Sequence, residues 1–113
     1  MLPKLLRTEC LIGGKWVGSK SGKTFEVINP ATAEVLASVP RMGHEDVQTA
    51  IKAAESAFPK WKAMTAAARG NILDLWAEKI REHSEELSQL LTLEQGKVIA
   101  ESRIEIEYAA SFL

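Results

Sequence analysis

The run GSKSGKTFEVINP, Gly18 to Pro30, contains a spelling that could cradle a phosphate: Gly22-Lys23-Thr24 is how a P-loop ends. A P-loop needs a glycine, four residues, then Gly-Lys-Ser/Thr, so that backbone N–H groups surround the phosphates. Counting back from Gly22 puts the first glycine at 17, where Val17 stands, and Gly18 leaves only three residues between. A P-loop also follows a strand and opens a helix. Here Thr24 enters an alternating, strand-like pattern that stops at Pro30. The run therefore reads as a polar connection between two strands, with no affinity expected for ATP or GTP phosphate. There is no G-x-G-x-x-G fingerprint either.

The other residue types able to do chemistry read as structural. Cys10 has no basic partner near it in sequence, which makes it an incidental or structural thiol. His44 and His83 fall at helix ends in polar surroundings, where solvated or capping histidines are the rule. Glu101, Glu105 and Glu107 read as a solvated face or as ion-pair partners. Lys97, just after Gly96, is placed to neutralise a helix C-terminus. Trp16, Trp61 and Trp76 occupy strand or helix positions where core packing is the default. No catalytic, cofactor-binding or metal-ligating residue is assigned.

The bulk numbers agree with an ordinary globular chain. Its 113 residues suffice for one domain with a modest core. With 14 basic and 15 acidic side chains the net charge is -1, so no basic stripe invites nucleic acid. A lone cysteine excludes an internal disulfide and a cysteine-based metal cluster, and fits a reducing, cytoplasmic setting. No apolar run reaches the roughly 18 residues that a membrane span needs. The start, MLPKLLRTEC, is too short for a signal peptide.

Strands come first along the chain. CLIGGKWV reads as strand, Gly13-Gly14 turn, strand, because paired glycines supply the positive φ of a tight hairpin. TFEVINP alternates with period two up to Pro30, and EVLASVP alternates again up to Pro40. NPATAE between them is a turn. Strands are expected near 11–17, 25–28 and 34–39.

Four helices are expected to follow. Val47, Ile51, Ala54 and Phe58 share one helical face, with Glu45 and Asp46 in the first turn and Pro59 as the stop. Thr65 caps the second helix, whose stripe is Ile72, Trp76 and Ile80 with Leu73 and Ala77 beside it. Ser84 caps the third, which buries Leu87, Leu90 and Leu91 and stops at Gly96. The last runs from about Ile99 to Leu113. The fold class is α/β, with short antiparallel strands before the helices and helix-rich by count.

The order of phrases resembles the opening of an aldehyde dehydrogenase: LIGGKWV, VINPATAEVLASVP, DVQTAIKAAESAFPKW, ARGNILDLWAEKI, LLTLEQGK, AESRIEIEYAASF. The resemblance covers about Leu11 to Leu113. It is strong because six phrases stand in the same order at similar spacing. TLEQGK, then AE and YAASF, resemble the succinate-semialdehyde subgroup of that family. Two positions depart from the pattern: Ala33 and Ile104 stand where the family usually has glycine. An isoleucine for glycine at 104 is expected to alter how closely the last helix approaches its neighbour.

The resemblance implies an enzyme that oxidises an aldehyde to its acid with NAD or NADP. A cysteine attacks, hydride leaves for the nicotinamide, and a glutamate activates water. Those residues lie beyond the matched part, and Cys10 does not match the glycine-rich context of the nucleophile. Residues 1–113 would be the N-terminal, outer part of the cofactor-binding domain, truncated at the C-terminus, with no catalytic residue and no cofactor binding of its own. The implied partners are the rest of its own polypeptide and, when complete, further copies in a homo-oligomer, with neither nucleic acid nor membrane. Some relatives hold a structural cation at positions matching Val27, Ile28 and Glu94; the plainer reading of Glu94 is a surface acid.

Two other readings stand beside this one. One is a non-catalytic helical interaction module, or a degenerate gene product. The other is a different aldehyde dehydrogenase subgroup, such as a betaine- or general-aldehyde enzyme. The end of the chain, IEIEYAASFL, bears on the choice. Ile104, Tyr108 and Phe112 form one apolar face; Ile106, Ala109, Ala110 and Leu113 form a second. A helix apolar on two faces expects cover on two sides, and the last four carbonyls are expected to lack capping partners.

Overall fold

A computed structural model describes residues 3–113. Four strands precede four helices, as the patterns required. They are β1 (Cys10–Ile12), β2 (Lys15–Val17), β3 (Thr24–Ile28), β4 (Val35–Pro40), α1 (His44–Ala63), α2 (Ala66–Glu82), α3 (Ser84–Gln95) and α4 (Ile99–Ala110). The helices run to 20, 17, 12 and 12 residues against strands of three to six, so the fold is α/β and helix-rich.

The strands make two separate two-stranded sheets, β1–β2 and β3–β4. In the first, Leu11 stands opposite Trp16 across an antiparallel register. Gly13 and Gly14 turn it with φ of 58° and 76°, the two positive values that a tight primed turn demands. In the second, the Asn29 N–H donates to the Glu34 carbonyl at 2.9 Å, and at the other end the Arg41 N–H donates to the Lys23 carbonyl at 2.8 Å. Rising numbers on one strand meet falling numbers on the other, which makes this pair antiparallel as well.

The described chain divides into two compact units. One holds Arg7–Val27 and Ala37–Met64; the other holds the residues through Leu6, Ile28–Leu36 and Thr65–Leu113. In the first unit, α1 packs on β1, and Ala53 approaches the Gly13 turn. In the second, α4 packs chiefly on α3 and also on α2. Thr65 caps α2 by accepting the Ala68 N–H at 3.2 Å. Gly96 ends α3 at φ 82°, donating its N–H to the Thr92 carbonyl at 2.8 Å.

Several expectations need correction. Pro59 does not end α1: the helix runs on to Ala63. The missing N–H forfeits one bond, but beyond the proline Trp61 and Met64 are half-buried, which holds the last turn in place. Ser84 is not the cap of α3. His83 serves both as the last residue of the α2 turn and as the α3 N-cap, without a side-chain bond, so the two helices meet with no linker between them.

The buried faces also differ from the apolar stripes. On α1 the covered positions are Asp46, Ala50, Ala53 and Trp61, while Val47, Ile51, Ala54 and Phe58 are exposed. On α2, Leu73, Ala77 and Ile80 face inward, but Ile72 and Trp76 are open. Trp16 is likewise open, and only Trp61 of the three tryptophans is half-buried. The most deeply buried apolar positions of α2 and α4 are small ones, Ala77 and Ala110, while larger side chains on the covered faces are only half-buried. Leu87, Leu90 and Leu91 of α3 are half-buried as expected.

On α4 the second face is covered in part, with Ala110 at 1% exposure, Ile106 and Leu113 half-buried and Ala109 exposed; the first is open, Ile104, Tyr108 and Phe112 being 71%, 63% and 69% exposed. Ile104 therefore does not set the approach of α4 to its neighbour. The last carbonyls are engaged. Those of Glu107 and Tyr108 accept the Ser111 N–H at 3.1 Å, that of Ala109 the Phe112 N–H, and that of Ala110 the Leu113 N–H.

Candidate functional site

The Gly18–Thr24 run is a built turn in which the N–H groups of Lys20, Gly22 and Lys23 are engaged within the protein. Gly22 adopts φ 68° and donates its N–H to the Ser19 carbonyl at 3.0 Å. The Lys23 N–H donates to Ser21 Oγ, and Ser19 Oγ donates back to the Lys23 carbonyl at 2.8 Å. The Lys20 N–H donates to the carboxylate of Asp46 at 3.1 Å. Thr24 then opens β3, so no helix N-terminus faces the loop from its own C-terminal side. The geometry is that of the polar strand connection.

Asp46 sits at the third position of α1 and accepts two backbone N–H groups, from Gly43 at 2.8 Å and from Lys20. Those two bonds, the Gly43 bond first, hold its carboxyl below the usual value of 3.8. Lys20 Nζ adds an ion pair to Glu45 at 3.5 Å. A carboxylate of the protein thus occupies the anion-attracting end of α1. Sequence reading placed Asp46 only in the acidic first turn. The Gly43-x-x-Asp46 spacing, the acid-to-cap half of a capping box, was the signal for the Gly43 bond, whereas the Lys20 bond comes from a distant part of the chain.

Asn29 is a second buried polar residue missed by pattern reading. Its Oδ1 accepts the Ala31 N–H at 2.9 Å, and its carbonyl accepts the Ala33 N–H at 2.8 Å. This closes the NPATAE turn around Ala33 at φ 61°, the one non-glycine residue with positive φ among the described residues. Glycine is at ease there and alanine is not. The departure at Ala33 is therefore a departure into strain. Pro30 of the same turn lies against Gly96, where an added Cβ would stand 2.8 Å from the proline Cγ.

A hydroxyl cluster joins α3 to α4. Ser88 and Ser102 are fully buried, and Thr92 Oγ1 and Ser102 Oγ share a hydrogen bond at 2.8 Å. Ser88 Oγ donates to the Ser84 carbonyl at 2.6 Å. Every hydroxyl here is satisfied within the protein, so the cluster is packing rather than a reactive centre.

The remaining candidates are scattered. Cys10 is half-buried in β1, opposite Val17. His44 is exposed at the start of α1, and His83 sits between α2 and α3. Glu107 pairs with Arg81 at 2.9 Å, and Glu105 pairs with Lys97. Lys97 therefore serves α4 rather than the C-terminus of α3, since the left-handed turn at Gly96 redirects the chain before it. Arg103 makes a two-pronged bond to Glu85 at 2.8 and 3.0 Å, which lowers the Glu85 pKa and raises its own.

An open depression of about 480 Å³ near Glu82, Glu85 and Glu86 is acidic, but those acids are engaged. Glu82 binds Lys79, Glu85 binds Arg103, and Glu86 accepts the Leu5 N–H at 2.6 Å. Among the described residues no three His, Cys, Asp or Glu side chains gather as a metal site. Ile28 closes β3, Val27 is half-buried beside it, and Glu94 is exposed in the last turn of α3. No helix among the described residues is long and apolar enough to cross a membrane.

Short antiparallel hairpins followed by helices define the class of this chain as α/β. Within that class it belongs to the aldehyde dehydrogenase family, whose sequence pattern matches residues 16–113. It is 46% identical over 110 residues to a glutarate-semialdehyde dehydrogenase of Pseudomonas aeruginosa, covering 97% of this chain and 23% of that protein. It is 50% identical over 109 residues to a mitochondrial succinate-semialdehyde dehydrogenase of Oryza sativa subsp. japonica, covering 96% and 21%. Its fold superposes on the crystal structure of succinate-semialdehyde dehydrogenase from Burkholderia pseudomallei with a TM-score of 0.94 and 46% identity, over 97% of this chain and 23% of that one. The chain thus spans less than a quarter of the length of these relatives.

Proposed function

We propose that residues 1–113 form the N-terminal, outer part of the cofactor-binding domain of an NAD(P)-dependent aldehyde dehydrogenase. Its substrate would be a semialdehyde carrying a distal carboxylate, succinate semialdehyde first. The observation that carries this reading is the identity of 46% and 50% to glutarate- and succinate-semialdehyde dehydrogenases across nearly the whole chain. In this reading the segment supplies packing surface. The nucleophile, the base and the main cofactor contacts come from the rest of the enzyme, which is a cytoplasmic homo-oligomer.

The surface of the chain supports a packing role. Large apolar side chains lie exposed in each unit: Val47, Ile51 and Phe58 on α1, Trp76 on α2, and Ile104, Tyr108 and Phe112 on α4. These faces suit burial against the remaining polypeptide of the same domain.

The test is a chimera. This segment replaces the N-terminal part of a succinate-semialdehyde dehydrogenase, and NAD(P)H formation is followed by absorbance. The chimera turns over succinate semialdehyde, and the segment alone neither turns it over nor binds NAD(P). Specific turnover by the isolated segment would overturn the proposal. A folded but inactive chimera, with a well-behaved monomeric segment, would favour a separate interaction module instead.

A further inference from the structure

We draw no further inference here: the strongest candidate, the uncovered Ile104–Tyr108–Phe112 face of α4, belongs to the packing role already proposed, and nothing in the structure shows another occupant.

Discussion

The unit built on α2, α3 and α4 and the unit built on β1, β2 and α1 solve the same problem with different chemistry. In the first, the most buried helix positions are the small side chains of Ser88, Ser102, Ala77 and Ala110, with Leu87, Leu90 and Leu91 half-buried beside them. Hydroxyls there are satisfied by one another or by a carbonyl. In the second, one helix rests on a hairpin through Ala53, and the polar end is secured by a carboxylate, Asp46, holding two backbone N–H groups. The first unit is held by close fit, the second by a polar clamp at one end of its helix. In both, several bulky apolar side chains, such as Phe58 on α1, Trp76 on α2 and Phe112 beyond α4, remain exposed while smaller residues are covered, an arrangement expected of a segment whose large residues have other surfaces to meet.

That contrast can be broken at its tightest points first. Ser102→Leu forces an extra isobutyl group into a site with no free surface and leaves the Thr92 hydroxyl without its partner. Overpacking of this kind costs about 1–3 kcal/mol, and thermal unfolding followed by circular dichroism reads it as a lower Tm. The exposed face is the control: Val47→Ser is expected to stay within about 0.5 kcal/mol. Equal losses from the two variants would refute the contrast.

Gly96→Ala tests the turn between α3 and α4. The left-handed conformation alone costs a non-glycine residue roughly 1–2 kcal/mol, and the Pro30 ring adds a clash. Gly14→Ala shares the positive φ but meets no atom within 4 Å. Of the two, Gly96→Ala is expected to unfold at the lower denaturant concentration.

The reverse change sharpens the account of the NPATAE turn. Ala33→Gly relieves the positive φ and is expected to stabilise by about 1 kcal/mol. An unchanged or lowered denaturation midpoint would show that the turn gains nothing from glycine.

The smallest effect is that of acid on the clamp. The folded Asp46 carboxyl is held below 3.8, its ordinary value, by the Gly43 and Lys20 N–H groups. The unfolded chain therefore takes up this proton at a higher pH than the folded one. The stabilisation is complete above 3.8 and is lost as pH falls below that value through the folded one. Asp46→Asn is expected to be less stable than the parent at neutral pH and to show a shallower loss of stability in acid. A parallel acid profile for the two proteins would remove Asp46 from the explanation.

The exposed face of α4 makes a separate expectation in solution. Tyr108→Ser combined with Phe112→Ser removes the edge-to-face aromatic pair, whose ring centroids lie 4.6 Å apart. Light scattering of the isolated segment is expected to show less association in this variant, with the helical content of α2 to α4 retained. Unchanged association would place the sticky surface elsewhere.

By itself the sequence determined the features that depend on a few adjacent residues. Gly13-Gly14 and Gly96 announced positive φ, Thr65 announced a cap, Asn29-Pro30 a turn, and the periods of two and 3.6 placed four strands and four helices. The same local logic read Gly18–Thr24 as a strand connection, because one residue of spacing and the strand after Thr24 separate it from a P-loop. The family was legible from the order of short phrases. The covered face of α3 was legible in its leucines, but the tertiary structure decided which face of α1 is covered and which of the two apolar faces of α4 stays open. Periodicity names a face that could be buried, but burial requires a neighbour that fits, and the most buried helix positions among the described residues are Asp46, Ala77, Ser88, Ser102 and Ala110. It also decided that α1 continues through Pro59. The penalty of a proline is local, whereas the half-buried positions of Trp61 and Met64 are set by the packing of the unit around them.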